Sequence, residues 1–446
     1  MDVTNISFVG FLFTVIMGVL LLLVPRRYAV ASVAIVGCYI TLGQMVNLAG
    51  LHFTVMRIVV LFGWLRLIAR GELFPRIRLN AIDKTLICWV IANFVAYVLS
   101  YGTWEAVVNR LGFAYNAIGM YFLFRFLIRD LDDINATIKG LAIVIVPLAI
   151  LMVAEASTGR NMFSVFGGVA ESSIFREDKF RAQGSFTHPI MAGTFGATLV
   201  PLFVALWFQG GRSRLIGVIG LVSATTIAAM AHSSGPLLAF LFGGIALGAW
   251  SVKAHLRALR WGLLFVLISL HIVMKAPVWY LPGKLADIFG GDGWYRSELM
   301  DSAVTHFGEW WLLGTTQTSH WMMYASRITP NMIDLTNEYV RQGVDGGLLT
   351  MVLFVAVIVF CFRGIGRALK IVENGPLPAG ITVWSLGSAL VAHLLSFFSV
   401  AYFDQMILFW FMLLAMISTL SGLSVAISEP AEERAPSLNK RIQTAT

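Results

Sequence analysis

The chain has 446 residues, of which 58% are hydrophobic and only 13% are charged, and its formal net charge is +8. A soluble domain carries about 25% charged residues, so this composition excludes an ordinary soluble protein and predicts a polytopic membrane protein. The excess of Lys and Arg is explained by helix orientation in a bilayer, and because no nucleic-acid-binding motif accompanies it, no nucleic-acid partner is expected.

Apolar stretches of roughly membrane-spanning length recur along the chain. A helix needs about 20 apolar residues to cross the hydrocarbon core of a bilayer. Thirteen stretches approach this length, at residues 6–24, 28–47, 52–69, 85–101, 110–128, 134–156, 188–208, 214–231, 236–252, 258–275, 346–362, 380–400 and 405–424. The expected fold is an all-α polytopic membrane protein of about 12–14 transmembrane helices, with residues 1–427 as one transmembrane domain. Residues 428–446, rich in Glu, Ala, Pro, Ser and Lys, are expected to form a disordered cytoplasmic tail.

Basic residues gather at alternate connections between these stretches. The clusters are Arg26/Arg27, Arg70/Arg76/Arg78/Lys84, Arg125/Arg129, Arg212/Arg214, Lys253/Arg257/Arg260 and Arg363/Arg367/Lys370. By the positive-inside rule these connections face the cytoplasm and the intervening ones face outward. Two long connections, 157–187 and 276–345, then lie outside the cytoplasm. The second is rich in Trp, Tyr and ionisable residues, a mixture that can fold at a membrane surface and line a polar site.

The first long connection leads into the sequence FRAQGSFTHP, from Phe180 to Pro189. Pro189 suits the first turn of a helix, which places Arg181 just outside a helix start. A guanidinium beside the free N–H groups of a helix start can hold a phosphate. Arg181 is therefore a candidate diphosphate ligand, and the alternative is a basic side chain that reaches along the membrane edge to water.

The second long connection contains GWYRSE at 293–298, followed by WWLLG at 310–314. This pattern predicts an amphipathic segment at the membrane interface. Arg296 is a candidate for the second cation of a diphosphate site, since its planar fork matches phosphate oxygens. The alternative is an ordinary ion pair of Arg296 with Glu298 or Asp292.

A third stretch contains Asp334, Glu338 and Arg341, which are spaced i, i+4 and i+7. On a helix, one face would carry all three side chains. Glu338 or Asp334 could then act as the general base that accepts a proton from an acceptor hydroxyl. The alternative is a solvated helix face with an ordinary pair between Glu338 and Arg341.

Other ionisable residues receive mixed interpretations. His306 is a further candidate base; it lies three residues before Glu309, but two ligands do not make a metal site, so neither a metal nor a cofactor is expected. Glu155 and Arg57 lie near the outer ends of predicted spans, where ionisable groups are costly and often functional. The acidic run at 130–133 resembles the metal-binding carboxylates of soluble glycosyltransferases, but its predicted cytoplasmic position favours helix capping.

With these stretches in this order, the chain resembles the O-antigen polymerase and ligase family of bacterial membrane proteins. The resemblance covers about residues 50–420 and is carried by the segments around Arg181, around Arg296 and around Asn337-Glu338-Tyr339. It implies a metal-independent, C-type glycosyltransferase-like fold in the bacterial inner membrane, with its active site facing the periplasm. The implied partners are a glycan donor on undecaprenyl diphosphate, a glycan acceptor, the lipid bilayer and other polysaccharide assembly proteins. By the same resemblance, Arg181 and Arg296 hold the diphosphate.

One position departs from the family pattern. Ligases of the family carry a histidine immediately before the asparagine of the third stretch, whereas here Thr336 precedes Asn337. Threonine accepts no proton near neutral pH, so a polymerase that joins repeat units of O-antigen or exopolysaccharide is favoured, with Glu338, Asp334 and His306 as catalytic candidates. The alternatives are a ligase, a lipid-linked oligosaccharide flippase, and a structural partner without chemistry. A transporter more often shows two related halves and short outer connections, which this chain lacks.

Overall fold

The computed structural model describes residues 4–41, 44–48, 51–74, 77–284, 291–373, 375–403 and 405–428. Within these ranges the chain is mainly helical, and seven helical segments are long and apolar enough to cross a membrane. One of them, Ser234–Val273, is interrupted by a 3-10 stretch at Ala249–His255. The prediction of a helical polytopic membrane protein is confirmed at this level. Of the predicted tail 428–446, only Ser428 is described, so that prediction lies outside the described residues.

The helices follow the predicted apolar stretches closely. They are α1 (Phe8–Leu23), α2 (Arg26–Tyr39), α3 (Val55–Ala69), α4 (Ala81–Tyr101), α5 (Trp104–Leu127), α6 (Leu131–Thr158), α7 (Pro189–Phe208), α8 (Gly211–Met230), α9 (Ser234–Gly248), α10 (Leu256–Val273), α11 (Gly293–Thr305), α12 (Phe307–Trp310), α13 (Glu338–Val372), α14 (Leu377–Phe397) and α15 (Met406–Ser428). Each predicted span overlaps one of them, and helices α11 and α12, which were not predicted as spans, lie in the second long connection.

The second predicted span, 28–47, extends beyond its helix. Helix α2 ends at Tyr39, and the side chain of Gln44 beyond it is buried and hydrogen-bonded. Its Oε1 accepts a hydrogen bond from the Ser7 N–H (3.0 Å), and its Nε2 donates to the Thr41 hydroxyl (2.7 Å). A buried amide needs such partners, so this polar group fixes a non-helical segment where the apolar pattern alone predicted more helix.

The connections also contain a few short strands, which the sequence did not predict. Among the described residues they form a three-stranded sheet, β1 (Thr4–Asn5), β2 (Gln44–Leu48) and β3 (Leu51–Thr54), and two hairpins, β4 (Ile174–Arg176) with β5 (Lys179–Arg181) and β6 (Arg327–Thr329) with β7 (Met332–Ile333). Strands of two to five residues are too short to show an alternating apolar pattern, which is why the sequence did not predict them.

Hydrogen bonds between connections show which of them share an end of the helix bundle. At one end, which we call the site end, the Tyr402 N–H donates to the Glu338 carboxylate (2.8 Å). At the same end, Gln405 Nε2 donates to the Ser185 carbonyl oxygen (2.9 Å). The site end therefore brings together the α6–α7 connection, the α14–α15 connection and the start of α13.

The opposite end, which we call the basic end, is held by ion pairs and caps. Arg26 pairs with Asp133 (2.6 Å), and Asn80 Nδ2 donates to the Ser418 hydroxyl (2.8 Å). These contacts gather the connections that flank α2, α4 and α6. Asp130 caps α6 by accepting the Asp133 N–H (2.8 Å), so the capping interpretation of the acidic run is confirmed.

The second long connection is anchored to the bundle where α13 bends. Gly347 has a φ of 78°, a left-handed conformation that favours glycine. The turn after α12 fits into this bend, because the Leu348 N–H donates to the Trp311 carbonyl oxygen (2.7 Å) and the Thr315 N–H donates to the Val344 carbonyl oxygen (2.9 Å). A Cβ at Gly347 would strike the backbone of this turn, so the glycine permits the close approach that fixes α11 and α12 beside the site end.

Candidate anion-binding site

The β4–β5 hairpin presents Arg181 to the site end. Glu177 and Asp178 form its tight turn with φ values of 54° and 58°, and both have positive φ as a type I′ turn requires. Arg181, the last residue of β5, is only 8% exposed, and its Nε donates to the Ala231 carbonyl oxygen (3.3 Å) at the end of α8. This bond leaves the terminal nitrogens of the guanidinium as the part of Arg181 that can meet a ligand.

Glu155 and Arg57, which were candidate functional residues because they lie near the outer ends of predicted spans, have structural partners. The Glu155 carboxylate accepts the backbone N–H groups of Gln183 (3.0 Å) and Gly184 (2.8 Å), immediately after Arg181 in the chain. Arg57 Nε donates to Asn116 Oδ1 (3.1 Å) and so links α3 to α5. Glu155 therefore positions the segment that carries Arg181, since a carboxylate bound by two N–H groups fixes their orientation.

Arg296 reaches the site end from α11. Its side chain is 8% exposed, and within the described part of the chain its buried Nε has no hydrogen-bond partner. Burial lowers the pKa of Arg296, and the nearby charge of Asp292 acts in the opposite direction. A buried guanidinium with an unpaired donor is costly and calls for an explanation such as a missing ligand.

Asp292 brings the two predicted arginines together. Burial alone would raise the pKa of Asp292, but a hydrogen bond from Arg176 and the charges of Arg176, Arg296 and Arg181 hold it below its usual value. The guanidiniums of all three arginines therefore lie within electrostatic reach of one carboxylate. We call these four residues the arginine cluster. Arg181 and Arg296 thus share Asp292 as an electrostatic neighbour, and their role as diphosphate ligands stays a prediction.

The arginine cluster has a buried part and an open part. Arg181 and Arg296 are buried, whereas the Arg176–Asp292 ion pair (3.2 Å) is exposed, with side-chain exposures of 43% and 59%. An exposed ion pair contributes little stability, about 0–1 kcal/mol. Three guanidiniums lie within electrostatic reach of one carboxylate, so the cluster has an excess of positive charge beside its exposed ion pair. Such an arrangement can bind a multiply charged anion that replaces Asp292 as the partner of the arginines.

His188 lies beside the arginine cluster and is held neutral. Burial, followed by the charge of Arg181, lowers the pKa of His188 to about 4. Its Nδ1 accepts the Ile190 N–H (3.1 Å) as the N-cap of α7, a role that requires an unprotonated nitrogen. His188 therefore adds no positive charge to the site and fixes the helix start behind Arg181.

A pH-dependent stability is expected from His188. An imidazole whose pKa is lower in the folded than in the unfolded protein stabilises fully above the unfolded value of 6.5, and this contribution is lost as the pH falls toward 4. Its size is on the order of 3 kcal/mol. His188→Asn keeps a capping side chain without the charge, so the variant should lose less stability than the wild type between pH 6.5 and 4. Thermal unfolding in detergent over that range measures the difference, and parallel curves for the two proteins would contradict it.

A second polar region lies beside α13 at the site end. A pocket of about 80 Å³, within about 630 Å³ of space that includes open solvent, has polar walls formed by Asn93, Arg110, Asn116, Glu338, Arg341, Gln342 and Asp345. Arg110 donates to Asn93 Oδ1 (2.9 Å) and pairs with Asp345 (3.4 Å). Arg341 lies 3.7 Å from the same carboxylate of Asp345. Aromatic side chains, including Trp89 and Trp410, complete the walls.

The prediction that Asp334, Glu338 and Arg341 share one helical face is wrong. Asn337 caps α13 by accepting the Val340 N–H (3.1 Å), so the helix begins at Glu338 and Asp334 lies before it. Glu338 is also buried, at 7% exposure, instead of forming part of a solvated face. That prediction rested on the i, i+4 spacing alone, whereas the capping asparagine sets the position where the helix begins.

The three catalytic candidates occupy different surroundings. Both carboxylate oxygens of Glu338 accept hydrogen bonds, one from Gln342 (2.7 Å) and one from the Tyr402 N–H (2.8 Å). The Asp334 backbone is tied to α11 through the Tyr295 hydroxyl (2.7 Å), and burial raises the pKa of Asp334 against an opposing effect of Arg341. Asp334 thus has the raised pKa that suits a base and lies within electrostatic reach of Arg341, whereas Glu338 holds the α14–α15 connection in place.

The third candidate, His306, is not brought to the arginine cluster by any contact of the described residues. It follows the end of α11, ten residues after Arg296, which corresponds to about 15 Å along a helix. Its neighbours are Glu309 and His320, and one ligand atom from each of the three lies within 4.8 Å of the other two. The sequence counted two potential metal ligands here, and the fold adds a third from 14 residues further along the chain.

Several residues of the site were missed in the sequence. Arg176 had no predicted role, and Asp292 had been considered only as an ion-pair partner of Arg296, until the hairpin and the start of α11 brought the two together. Asn93 and Arg110 left a clearer signal, because polar side chains inside predicted spans are costly unless they serve a site or pair with one another. No protein-family model matches this chain, and no curated protein matches it.

Proposed function

We propose that this membrane protein is a glycosyltransferase that joins undecaprenyl-diphosphate-linked repeat units of O-antigen or exopolysaccharide at the periplasmic face of the bacterial inner membrane. The observation that carries the proposal is the position of Asp292, which pairs directly with Arg176 (3.2 Å) and lies within electrostatic reach of the buried Arg181 and Arg296. A lipid diphosphate presents several negative oxygens at the membrane surface, which suits planar guanidinium forks near the ends of membrane helices.

In the proposed reaction, an acceptor hydroxyl oxygen attacks the anomeric carbon of the donor glycan. A new glycosidic bond forms, the bond from that carbon to the diphosphate oxygen breaks, and its electron pair stays on the departing undecaprenyl diphosphate. Arg181 and Arg296 stabilise the charge that develops on this oxygen, and their burial strengthens the effect because little water screens it. No metal is needed for this step when guanidiniums stabilise the leaving group.

The proton of the acceptor hydroxyl goes to Asp334 in this proposal. Within the described residues its carboxylate accepts no hydrogen bond, and its raised pKa makes it a better proton acceptor than an ordinary aspartate. Tyr295, which holds the Asp334 backbone, is the residue before Arg296, so the base and a diphosphate arginine share one support. Glu338 is less suited, because its two accepted hydrogen bonds stabilise the anion and occupy its oxygens.

The pocket beside α13 fits the role of a glycan site. Sugars are bound by stacking on aromatic faces and by hydrogen bonds from fixed polar groups. Trp89 and Trp410 provide aromatic surface, while Arg110 and Asn93 provide donors and acceptors held by mutual contacts. The Tyr402–Glu338 bond links this pocket to the α14–α15 connection, whose Gln405 contacts the segment after Arg181.

Asp334→Asn is expected to lower the rate of chain growth by about 100- to 10,000-fold, because the amide cannot accept a proton. A protonated carboxyl cannot act as a base, so the wild-type rate should fall as the pH decreases through the raised pKa of Asp334. That fall should occur at a higher pH than for an ordinary aspartate and should be absent in the residual activity of the variant. Initial rates with a lipid-linked donor between pH 4 and 8 measure both effects.

Glu298→Gln is the matched control for that variant, since Glu298 is an exposed carboxylate on the neighbouring helix α11. Its rate and pH profile should equal those of the wild type. Glu338→Gln places an amide where the carboxylate accepted two hydrogen bonds, so it should lower stability by about 1–3 kcal/mol. An Asp334→Asn variant with the wild-type rate would remove Asp334 from the mechanism.

The overall proposal is tested by reconstitution of the purified protein with a synthetic undecaprenyl diphosphate repeat unit, in the presence and absence of EDTA. Lipid-linked chains longer than the supplied unit should accumulate under both conditions. A flippase would move the donor across the bilayer without lengthening it, and a structural partner would do neither. Transfer only to an added lipid acceptor, with no growth of the chain, would identify a ligase instead.

A further inference from the structure

Three side chains of the second long connection converge at a distance from the arginine cluster. His306 follows the end of α11, Glu309 lies in α12, and His320 lies in the turn beyond. His320 Nε2 is 3.0 Å from Glu309 Oε2, and the rings of His306 and His320 meet edge to face with centroids 5.2 Å apart. Two imidazoles and a carboxylate form a common ligand set for zinc.

Neighbouring groups orient two of these three side chains. His306 Nδ1 lies 2.9 Å from the Ser302 carbonyl oxygen, which can only accept, so Nδ1 carries the proton and Nε2 presents its lone pair. The Trp321 ring stacks on His306 at an interplanar angle of 14°, and its Nε1–H donates to Glu309 Oε2 (3.1 Å). Metal-ligating histidines and carboxylates typically have such outer partners, which hold them in place before the metal binds.

We propose that His306, Glu309 and His320 bind one Zn²⁺ ion, with water in the fourth position. Ligand atoms around a tetrahedral zinc at 2.0–2.1 Å lie about 3.3 Å from one another. Small rotations of His320 and Glu309, whose side chains are 50% and 40% exposed, bring the present separations, all within 4.8 Å, to this value. Mixed nitrogen and oxygen ligands select zinc over Mg²⁺ or Ca²⁺, which prefer oxygen alone.

The proposed zinc ion would fasten one part of the connection to another. The segment before His320 is joined to β7, because the Thr318 N–H donates to the Asn331 carbonyl oxygen (2.8 Å) and the Thr318 hydroxyl accepts the Ile333 N–H (3.0 Å). Zinc would tie this segment, and the strand leading to Asp334, to the end of α11. The site is remote from Arg296, so the ion is a structural clip and takes no part in glycosyl transfer.

The test uses the full-length protein without a polyhistidine tag, purified in detergent, stripped with EDTA and dialysed. Zinc titration by calorimetry should show one site per chain, and elemental analysis after removal of excess metal should recover about one zinc per chain. His320→Ala and His306→Ala should each weaken zinc binding by at least about 100-fold. Trp321→Phe removes the N–H that orients Glu309 and part of the ring that stacks on His306 but leaves all three ligands, so the loss should be smaller, about 10-fold.

Two further measurements complete the test. His255→Ala removes an exposed histidine outside the cluster and should bind zinc as the wild type does. Cobalt substitution should give the intense visible absorption of a four-coordinate ion, absent in His320→Ala. A wild-type protein that binds no zinc would overturn the proposal, as would undiminished binding by the His306→Ala/His320→Ala double variant. Both results are independent of whether the protein transfers glycans.

Discussion

Replacing Arg181 by lysine is expected to stop chain growth nearly as completely as replacing it by alanine, with a loss of at least about 100-fold in each case. Arg181 is fixed by its Nε bond to the Ala231 carbonyl oxygen, which leaves its terminal nitrogens for the ligand. Lysine keeps the charge but lacks the fork that matches two phosphate oxygens. The measurement is the length distribution of the lipid-linked polymer in a deletion strain that carries each variant.

Arg160→Ala is the matched control for the Arg181 variants. Arg160 lies in the same connection, but its ion pair with Glu171 (3.0 Å) is exposed, with side-chain exposures of 69% and 65%. Exposed pairs contribute little, so polymer length and protein yield should match the wild type. Chains of wild-type length from Arg181→Ala would end the diphosphate assignment, and full activity of Arg181→Lys would show that charge alone is sufficient.

Replacing Arg296 by methionine is expected to abolish chain growth without destabilising the protein. The arginine is buried, and its Nε lacks a partner among the described residues. The free-energy cost of removing such a charge from water exceeds its electrostatic attraction to Asp292. Methionine fills a similar volume without a charge. Activity should fall by at least about 100-fold, while the apparent melting temperature in detergent stays equal or rises.

Measuring activity and melting temperature together distinguishes a functional arginine from a structural one. A structural Arg296 would show a clear drop in melting temperature together with the loss of activity. Arg327→Met serves as the control, because Arg327 is an exposed residue of β6 in the same connection, and neither activity nor stability should change. Retained activity in a stable Arg296→Met protein would remove this residue from the proposed site.

The positions of the helices were predictable because they depend on the hydrophobicity of consecutive residues. A bilayer requires long apolar stretches, and each predicted span found a helix, including the one that contains Arg110. The end of α2 was not predictable in this way. The apolar pattern continues past Tyr39, and only the partners of Gln44, the nearby Thr41 and the distant Ser7, show why the helix stops.

The site was predictable only in part. Arg181 and Arg296 stood out because a basic side chain next to a helix start or among aromatic residues has few ordinary roles. Their neighbour Asp292 had been considered only as an ordinary ion-pair partner of Arg296. The structure instead gives it a direct bond to Arg176 and a shared position among three arginines. That arrangement depends on a two-residue turn and on the start of α11, neither of which leaves a periodic signal.

The amino-acid sequence by itself determined that this is a helical membrane protein with two long polar connections, since hydrophobicity and charge act residue by residue. Only the tertiary structure decided that the helix after Asn337 excludes Asp334, that Glu338 is a structural acceptor, and that His320 joins His306. The physical reason is that hydrogen bonds and electrostatic pairs act over a few ångströms in space. Residues that are far apart in the chain meet through them only after the helices have set the positions of the connections.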